Sequence, residues 1–351
     1  MKVCHISFSF LIGGIENMLV DILEEQSQHI ETTLIVINKN YDEKILNRIS
    51  NRVKIILIDR PEGSKNPYYL AKLWLTLFRI NPAVIHCHTP NIIDILSPFK
   101  SKCIYTSHTT GVPVENLHKY KRLFSISIAV QDDLMVRGGL TSEMIYNGID
   151  FSLFKTKKNY TTQPDEQFKL VQVSRLLHEQ KGQDISLEAI SVLVNNLGVK
   201  NVHLDIIGDG PSEEYLKNLC ENLKLQPYVS FLGPKDRSWI YEHLVNYHAL
   251  VQPSRFEGFG ITVIEAVATG IPVISSNIEG PLEVLENVNS AYIFDINSVN
   301  EFASQIKQVI TDYQHHEMED RCLQGLKVTR DKFKVTDTAN NYLKAYKQLI
   351  Q

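Results

Sequence analysis

The stretch RFEGFGITVIEA, residues 255–266, joins a glycine-rich turn to an apolar run with the pattern of a helix. Glu257 precedes the sequence Gly-Phe-Gly, and Glu265 falls inside the predicted helix. Glycines can turn backbone N–H groups toward an anion, and carboxylates accept hydrogen bonds from sugar or ribose hydroxyl groups. A helix that only packs against a core needs neither carboxylate, so the two glutamates raise the question of a ligand.

Short apolar runs alternate with amphipathic segments along the chain, which predicts parallel β-sheets wound with helices. In the N-terminal half the predicted strands are KVCHISF, TTLIVIN, VKIILID, AVIHCH, CIYTS and SISIAV. The pattern restarts with FKLVQVS, VHLDIIG, YVSFLG, ALVQPS and IPVISS. The polar segment 155–167 is predicted to be a linker. We therefore predict an α/β protein with two Rossmann-like domains, 1–155 and 166–332, followed by a last amphipathic helix within 333–351.

The composition describes a globular protein. Of the 351 residues, 43% are hydrophobic and 22% are charged, and the net charge is −4, so no nucleic-acid partner is expected. A chain of this length suits two domains. An apolar run of about 18 residues, which a membrane span requires, does not occur in the sequence. Five cysteines without a CxxC pair are typical of reduced core thiols, and we predict a cytoplasmic protein.

Four loops are predicted to lie at the carboxyl ends of strands, where helix N-termini favour anions. SFLIGGIEN contains Gly14, VSRLLHEQKGQD contains Arg175 and Lys181, IIGDGPSEE contains Gly208, and the fourth is the opening stretch. The planar fork of an arginine and the point charge of a lysine together suit a diphosphate. Ordinary turns and solvated cations are the structural alternatives for the first three loops.

In this order and at this spacing, GGIE, SRLLHEQKG, GDGP and EGFGITVIEA resemble the motifs of the retaining glycosyltransferases of family 4 (GT4), which have the GT-B fold. The resemblance includes IHCHTP, YTSHTT and YNGID and so covers nearly the whole chain. It implies two Rossmann-like domains facing a cleft, with the acceptor on the N-terminal domain and the nucleotide sugar on the C-terminal domain. It also implies that the helix at 333–351 crosses back to the N-terminal domain.

The resemblance further implies roles for single residues. Arg175 and Lys181 are expected to hold the donor diphosphate, while Glu257 lies near the transferred sugar and Glu265 binds the ribose. His108, in TSH, is expected to face the sugar from the first domain, although by itself it would be interpreted as a buried histidine at a strand end. The backbone is expected to approach the donor at four positions: Gly14, Gly208, Phe259 and Gly260.

We predict no metal and no cofactor, because the donor is a substrate. The chain contains no Asp-x-Asp, the carboxylate pair that would hold Mg²⁺ on a diphosphate. His86 and His88 alternate on one predicted strand, which rarely makes a zinc site without further ligands, so both are predicted to be structural or rim residues. Among nucleotide sugars, a UDP-sugar is favoured only because it is common among similar enzymes.

Two basic, aromatic segments suggest where a lipid-linked acceptor could bind. SKNPYYLAKLWLTLFRI carries a predicted apolar face with three cations around it, and HKYKRLF carries Lys119, Lys121 and Arg122. Helices of this kind can lie on an anionic membrane surface, which predicts a peripheral membrane association and a role in surface-polysaccharide biosynthesis. A helix that faces the core and carries solvated lysines is the alternative. The predicted apolar face consists of Tyr69, Leu70, Leu73, Trp74, Leu77 and Phe78.

Other functions stay open at this point. A nucleotide-sugar epimerase with the GT-B fold would convert the donor without an acceptor. A non-catalytic nucleotide-sugar sensor or a scaffold in a polysaccharide complex would not need the diphosphate-binding cations Arg175 and Lys181. A nicotinamide dehydrogenase is disfavoured, because SFLIGGIEN is not GxGxxG and no acidic residue ends the second strand.

Overall fold

The computed structural model describes residues 1–11, 13–162 and 166–350. It divides the chain into two compact units. The first unit comprises Met1–Asp150 and Phe333–Gln351, and the second comprises Phe151–Lys332. The domain limits that the sequence predicts are 1–155, 166–332 and 333–351, and they differ from these units in the assignment of 151–165.

Each unit contains one parallel sheet. The strands of the first unit are β1 (Lys2–Ser7), β2 (Glu31–Asn38), β3 (Lys54–Arg60), β4 (Val84–Cys87), β5 (Cys103–Ser107), β6 (Arg122–Ser125) and β7 (Glu143–Met144). Those of the second unit are β8 (Phe168–Val173), β9 (Val202–Ile207), β10 (Val229–Gly233), β11 (Ala249–Gln252), β12 (Val273–Ser276) and β13 (Ala291–Phe294).

The strand orders are β3-β2-β1-β4-β5-β6-β7 and β10-β9-β8-β11-β12-β13, with every pairing parallel. In each sheet the order reverses beside its first strand, between β1 and β4 and between β8 and β11. Doubly wound sheets bind ligands at the carboxyl ends of the strands where the order reverses. The topology therefore marks one candidate edge in each unit.

The helices are α1 (Gly14–Ser27), α2 (Glu43–Leu46), α3 (Pro67–Ile80), α4 (Ile128–Gly138), α5 (His178–Lys181), α6 (Gln183–Asn195), α7 (Glu213–Asn222), α8 (Arg237–His243), α9 (Ile261–Thr269), α10 (Glu279–Leu285), α11 (Val299–Gln314), α12 (Met318–Lys332) and α13 (Val335–Ile350). Short 3-10 helices span Pro90–Ile95, Ser97–Lys102, Leu117–Lys119, Phe151–Leu153 and Leu244–Asn246.

Strands buried on both faces organise the core of the first unit. Along β2, Leu34 and Val36 pack into one apolar cluster, and Ile35 and Ile37 pack into the other. Successive side chains of a strand point to opposite faces, and helices cover both faces of a parallel sheet. This is why the central strands are continuous apolar runs rather than alternating ones.

The last helix belongs to the first unit, as the resemblance implied. α13 lies against α1 and β4, and its Tyr342 and Tyr346 are almost completely buried. The chain enters α13 beside the first unit, because Ile149 N–H donates to the Phe333 carbonyl at 3.0 Å. The predicted crossover helix is therefore confirmed, apart from residue 351, which lies outside the described residues.

The prediction of a strand at SISIAV is wrong. The strand there is β6, which ends at Ser125, and α4 begins at Ile128. The Ser127 hydroxyl accepts a hydrogen bond from Val130 N–H at 3.1 Å and caps the helix. The serine–isoleucine alternation resembles a strand, but a serine before an apolar run is also a helix N-cap.

The segment predicted as a linker packs on the second unit. Lys157 N–H donates to the Thr269 carbonyl, and the Lys157 ammonium donates to the Tyr247 carbonyl, both at 2.8 Å. Tyr160 is 5% exposed, and its hydroxyl donates to the Gly270 carbonyl at 2.7 Å. Backbone carbonyl groups and an apolar site on the second unit thus hold this polar segment in place. Such tertiary contacts cannot be predicted from the composition of the segment. Residues 163–165 of the predicted linker lie outside the described residues.

Most of the apolar face predicted on α3 packs against the core, which is the alternative that the sequence left open. Leu73 and Leu77 are buried in the core, and the Trp74 indole N–H donates to the Ile95 carbonyl at 2.7 Å. Phe78 is the one residue of the predicted face that is mostly exposed, and the exposed Tyr68 and Leu75 lie on the same helix. Across the part of the chain that the structure describes, no helix is long and apolar enough to cross a membrane.

The basic cluster in HKYKRLF is engaged within the first unit. The Lys119 ammonium lies 2.9 Å from an Asp94 carboxylate oxygen. Lys121 donates to the Leu349 carbonyl at 2.7 Å, and Arg122 lies 3.2 Å from a carboxylate oxygen of Glu143. These contacts reduce the free positive charge that the sequence predicted there.

Candidate functional site

Two of the three predicted site loops of the second unit leave the strands at which its sheet order reverses, and the third, with Gly208, leaves β9. Arg175 follows β8 and Glu257 follows β11. Parallel strands present their carboxyl ends at one edge, so the two loops meet there. They are in direct contact, because Arg255 N–H donates to the Gln180 carbonyl at 2.8 Å.

Lys181 and Glu257 form an ion pair at this edge, with Nζ 2.5 Å from Oε2. The Gln252 amide also donates to Glu257 Oε2 at 3.3 Å, and the Gln172 amide donates to the Lys181 carbonyl at 2.9 Å. The structure therefore brings together two residues that were predicted to bind the donor. A diphosphate would compete with the carboxylate for the ammonium group, because charge-assisted hydrogen bonds to phosphate are strong.

Arg175 offers a second cation at the same edge. Its side chain is exposed and has no polar partner among the described residues. Its backbone is fixed, because the amide of the buried Gln183 donates to the Arg175 carbonyl and to the Ser174 hydroxyl, both at 2.8 Å. The loop is thus held in place while its guanidinium stays open to an anion.

Glu265, the second glutamate of the opening stretch, lies on α9 and is only 8% exposed. Arg237 on α8 is similarly buried, and its Nε lies 3.8 Å from Glu265 Oε1. A buried carboxylate is costly without an opposite charge, and Arg237 supplies one. The sequence analysis missed this arginine, because nothing in the local sequence connects α8 with α9.

Glycines allow the site loops to pack closely. Gly182 has φ +65°, and a Cβ atom there would lie 1.8 Å from the Pro253 carbonyl oxygen. Gly208 has φ +138°, and a Cβ atom there would lie 1.9 Å from the Ser174 carbonyl oxygen. Close backbone packing explains both glycines without a ligand. The predicted approach of the donor to Gly208 therefore stays a prediction.

The turn before α9 is built by a buried aromatic ring and a left-handed glycine. Phe259 is 2% exposed, and Gly260 caps the helix with φ +101°. Gly280 packs under the turn, where a Cβ atom would lie 2.4 Å from the Glu257 carbonyl oxygen. The amides of Phe259 and Gly260 thus sit at the start of a helix, where an anion is favoured. Their predicted contact with the donor is untested, and Gly280 was missed.

A bidentate ion pair anchors the loop that carries Glu257. The two terminal nitrogens of Arg255 lie 2.9 and 2.8 Å from the carboxylate oxygens of Asp184, and Arg255 also donates to the His178 carbonyl at 2.7 Å. The sequence analysis quoted Arg255 but assigned it no role. Its partner is in the first turn of α6, so only the tertiary structure reveals the pair.

In the first unit, Gly14 is the exposed first residue of α1. The Glu16 side chain folds back toward Gly13, the residue before the helix. A Cβ atom on Gly13 would lie 2.6 Å from Glu16 Oε2. Burial raises the pKa of the Glu16 carboxyl. The Glu16 carboxyl thus occupies the space beside Gly13, and the predicted contact between Gly14 and the donor stays a prediction.

His108 follows β5 at the carboxyl edge of the first sheet and is 8% exposed. Its Nε2 lies 2.9 Å from His88 Nδ1. Its Nδ1 is buried and has no hydrogen-bond partner among the described residues. Burial lowers the pKa of His108 to about 4, so the ring is neutral at pH 7. His108 is thus available as a neutral hydrogen-bonding group, and its predicted contact with the sugar is untested.

His5, His86 and His88 lie close enough together to suggest a metal site. However, each of their ring nitrogens already has a hydrogen-bond partner: His5 with His88 and Gln26, and His86 with Tyr346 and Thr106. No carboxylate belongs to the group. The arrangement is that of a satisfied hydrogen-bond network rather than a set of free ligands.

Two family models match the chain. The model described as Glycosyltransferase Family 4 matches residues 12–153, and the model described as Glycosyl transferases group 1 matches residues 154–324. The two matches meet at the boundary between the N-terminal and C-terminal halves.

Curated relatives with named activities match at modest identity. N-acetyl-alpha-D-glucosaminyl L-malate synthase of Bacillus anthracis is 27% identical over 188 residues, which are 52% of this chain and 48% of that protein. Lipopolysaccharide 1,6-galactosyltransferase of Salmonella typhimurium is 27% identical over 202 residues, 54% of each chain. The chain thus spans about half the length of these curated relatives.

Among solved structures, HepE of Anabaena in complex with UDP and glucose superimposes with a TM-score of 0.81 at 20% identity, covering 98% of this chain and 99% of that one. A sucrose-phosphate synthase of Thermosynechococcus elongatus gives 0.81 at 16% identity, covering 99% of each chain. At these identities the likeness concerns the fold, and the fold predicted from the sequence is confirmed.

Proposed function

Because this chain belongs to glycosyltransferase family 4 and has the GT-B fold, we propose that it transfers a hexose from a nucleotide diphosphate sugar to a hydroxyl group of an acceptor, with retention of the anomeric configuration. The observation that carries the proposal is the charged edge of the second unit. Among the residues that the structure describes, Lys181 is paired with a glutamate that a sugar can also engage, and the Arg175 side chain has no polar partner. A diphosphate with a sugar attached complements both groups.

The chemistry follows from these charges. The bond between the anomeric carbon and the diphosphate breaks, and the acceptor oxygen bonds to that carbon on the same face. The departing phosphate oxygen takes the acceptor proton, while Arg175, Lys181 and the amides near Gly260 stabilise the developing negative charge. Glu257 is held by Lys181 and Gln252, so we assign it to the sugar hydroxyls rather than to nucleophilic attack.

Several finer features belong to this proposal. The donor is a UDP-sugar, which is supported by fold neighbours solved with UDP and with UDP-glucose. The cations of the charged edge take the place of a metal, since the chain contains no Asp-x-Asp. His108 contacts the sugar from the first unit. No separate cofactor is involved.

For the acceptor we propose a lipid-linked saccharide in surface-polysaccharide biosynthesis, handled on the cytoplasmic face of the membrane. Tyr68, Leu75 and Phe78 leave an exposed apolar stripe on α3. The helix contains no acidic residue, and the exposed cations Lys65 and Arg79 lie near its two ends. An apolar stripe with cations beside it suits an anionic membrane surface. A galactosyltransferase of lipopolysaccharide among the relatives supports the same class of acceptor.

A thermal-shift screen of UDP-, GDP- and ADP-sugars identifies the donor first, because a ligand at one hundred times its dissociation constant stabilises a protein by about 2.7 kcal/mol. The donor is then incubated with lipid-linked saccharides, and the product is analysed by NMR. We expect an α-linked product from an α-linked donor and full activity in EDTA.

Three results would contradict parts of this account. A β-linked product would exclude retention. Loss of activity in EDTA that Mg²⁺ or Mn²⁺ restores would exclude the metal-free mechanism. Conversion of the donor sugar in the absence of any acceptor would identify an epimerase instead.

A further inference from the structure

A chain of hydrogen bonds runs from His108 into the core of the first unit. His108 Nε2 lies 2.9 Å from His88 Nδ1, and His88 Nε2 lies 3.0 Å from His5 Nδ1. His5 Nε2 lies 2.8 Å from the Gln26 side-chain oxygen, and the Gln26 amide donates to the Tyr346 hydroxyl at 3.3 Å. The chain links residues at the carboxyl ends of β4 and β5 to β1, α1 and α13.

A second branch fixes the inner end of this chain. The Tyr346 hydroxyl lies 2.6 Å from His86 Nδ1, and His86 Nε2 lies 2.7 Å from the Thr106 hydroxyl. Thr106 and Tyr342 are 3.1 Å apart through their hydroxyl oxygens. Nearly all of these groups are buried, so each needs a hydrogen-bond partner.

The glutamine sets the direction of the whole chain. The Gln26 oxygen can only accept, so His5 carries its proton on Nε2 and accepts on Nδ1. His88 must then donate from Nε2 to His5, and His108 must donate from Nε2 to His88. The reverse direction would leave a buried N–H on His108 Nδ1 without a partner. An unpaired lone pair is tolerated better than an orphaned N–H group.

We propose that His88, His5 and Gln26 are positioning residues, whose hydrogen bonds hold His108 in the tautomer with its proton on Nε2 and leave Nδ1 as a bare acceptor for a hydroxyl group of the bound sugar. The contact with a sugar rests on the proposed function, whereas the tautomer does not. Burial lowers the pKa of His5 to about 4 and that of His88 well below its usual range, so the chain is neutral at pH 7.

The tautomers can be measured directly in the intact chain without substrate. Long-range ¹H–¹⁵N NMR of histidine-labelled protein at pH 7 separates a protonated ring nitrogen from a bare one. We expect a bare Nδ1 in His5, His88 and His108, with the His108 signal identified by its loss in His108→Ala. A proton on Nδ1 of His108, or a mixture of tautomers, would overturn the proposal.

Two variants test the cause. Gln26→Met keeps the length of the side chain but removes the acceptor, so the Nδ1 signal of His108 should move toward a tautomer average. Tyr346→Phe keeps the shape of the ring but removes the hydroxyl that orients the Gln26 amide, so it should produce the same shift. This variant serves as the test if Gln26→Met does not fold. Gln28→Met, at the exposed residue that directly follows the same helix, is the matched control and should change nothing. An unchanged His108 signal in folded Gln26→Met or Tyr346→Phe would overturn the proposal.

Kinetics then separate this proposal from the proposed function. If His108 contacts the sugar, Gln26→Met should lower kcat roughly 10- to 100-fold, the loss typical when a group that orients a metal-binding histidine is removed. It should have no further effect in the His108→Ala background. Losses that add in the double variant would overturn the claim that Gln26 acts through His108. Wild-type turnover in His108→Ala would refute the sugar contact of His108. The NMR result would still test whether Gln26, His5 and His88 fix the His108 tautomer.

Discussion

The first six strands of each unit are arranged in the same order, but the two units present different chemistry at the corresponding edge. In the first unit, His5, His88 and His108 are neutral rings joined by hydrogen bonds. In the second, the edge carries the Lys181–Glu257 ion pair and the Arg175 guanidinium, which has no polar partner within the described ranges. Each ring nitrogen of these three histidines except His108 Nδ1 has a hydrogen-bond partner among the described residues, so the network fixes geometry without a ligand. The charged edge is incomplete and gains most from an anion. The edge of the first unit is thus suited to positioning a ligand, and the edge of the second unit is suited to stabilising its negative charge.

The largest expected effect of this difference is in acid. Burial lowers the pKa of His5 and His108 to about 4, and those of His86 and His88 well below the usual range. In the second unit, burial lowers the pKa of His248 to about 4. The unfolded chain binds a proton at each ring near pH 6.5, whereas the native rings stay neutral, so stability falls as the pH drops from 6.5 to 4. A shift of this size corresponds to about 3 kcal/mol for one ring.

Hydrogen exchange followed by mass spectrometry reports this effect separately for each unit. After correction for the intrinsic exchange rate, peptides from β1, β4 and β5 should lose more protection between pH 7 and pH 5 than peptides from β8, β9 and β11. Equal losses in the two units would contradict the assignment of a neutral histidine network to the first unit alone.

The next largest effect should come from the cations of the second unit. Arg175→Ala or Lys181→Ala should lower kcat/KM by about 10² to 10³, the loss seen when one preorganised group that stabilises transition-state charge is removed. Lys200→Ala removes an exposed lysine of the same unit and is the control. Near-wild-type turnover in both site variants would exclude them from diphosphate binding.

The two glutamates of the opening stretch should fail in different ways. Glu257→Gln should impair turnover while UDP alone still binds, because we assign this carboxylate to the sugar. Glu265→Gln should weaken the binding of UDP itself by about 1.5–3 kcal/mol, the range for hydrogen bonds to a charged group. Isothermal titration with UDP measures both. An equal loss of UDP affinity in the two variants would contradict the division between sugar and ribose.

The smallest effect concerns the membrane. The intact chain should sediment partly with anionic vesicles at low salt and be released at high salt, because each basic residue near such a surface contributes about 1 kcal/mol and is screened by salt. Lys65→Glu with Arg79→Glu should abolish sedimentation. Lys200→Glu, in the second unit, should leave it unchanged. If the chain that carries Lys65→Glu and Arg79→Glu together still sediments with the vesicles, α3 does not make the membrane contact.

The sequence predicts some secondary-structure elements of this protein better than others. The strands β1–β5 follow from continuous apolar runs, since parallel strands are buried on both faces. The strand predicted at SISIAV was wrong because the Ser127 hydroxyl caps α4 by accepting from Val130 N–H. A serine before an apolar run suits a helix N-cap as well as a strand.

The candidate site shows the same division. Lys181 and Glu257 were predicted through their motifs, and the structure places them in contact. The pairing of Arg255 with Asp184 and the hydrogen-bond chain through Gln26 were missed, because their residues come from separate elements and meet only in the tertiary structure. Sequence motifs identify groups that bind a ligand. They do not identify the residues that hold those groups in place.

The central claim is that the charged edge of the second unit binds a diphosphate, and titration calorimetry of the intact chain with UDP and with uridine tests it most directly. The wild-type protein should bind UDP at least 10²-fold more tightly than uridine, given about 1.5–3 kcal/mol for each charged contact with the diphosphate. Lys181→Ala and Arg175→Ala should each reduce that ratio without changing the affinity for uridine. Equal affinity of the wild-type protein for UDP and uridine would contradict the account.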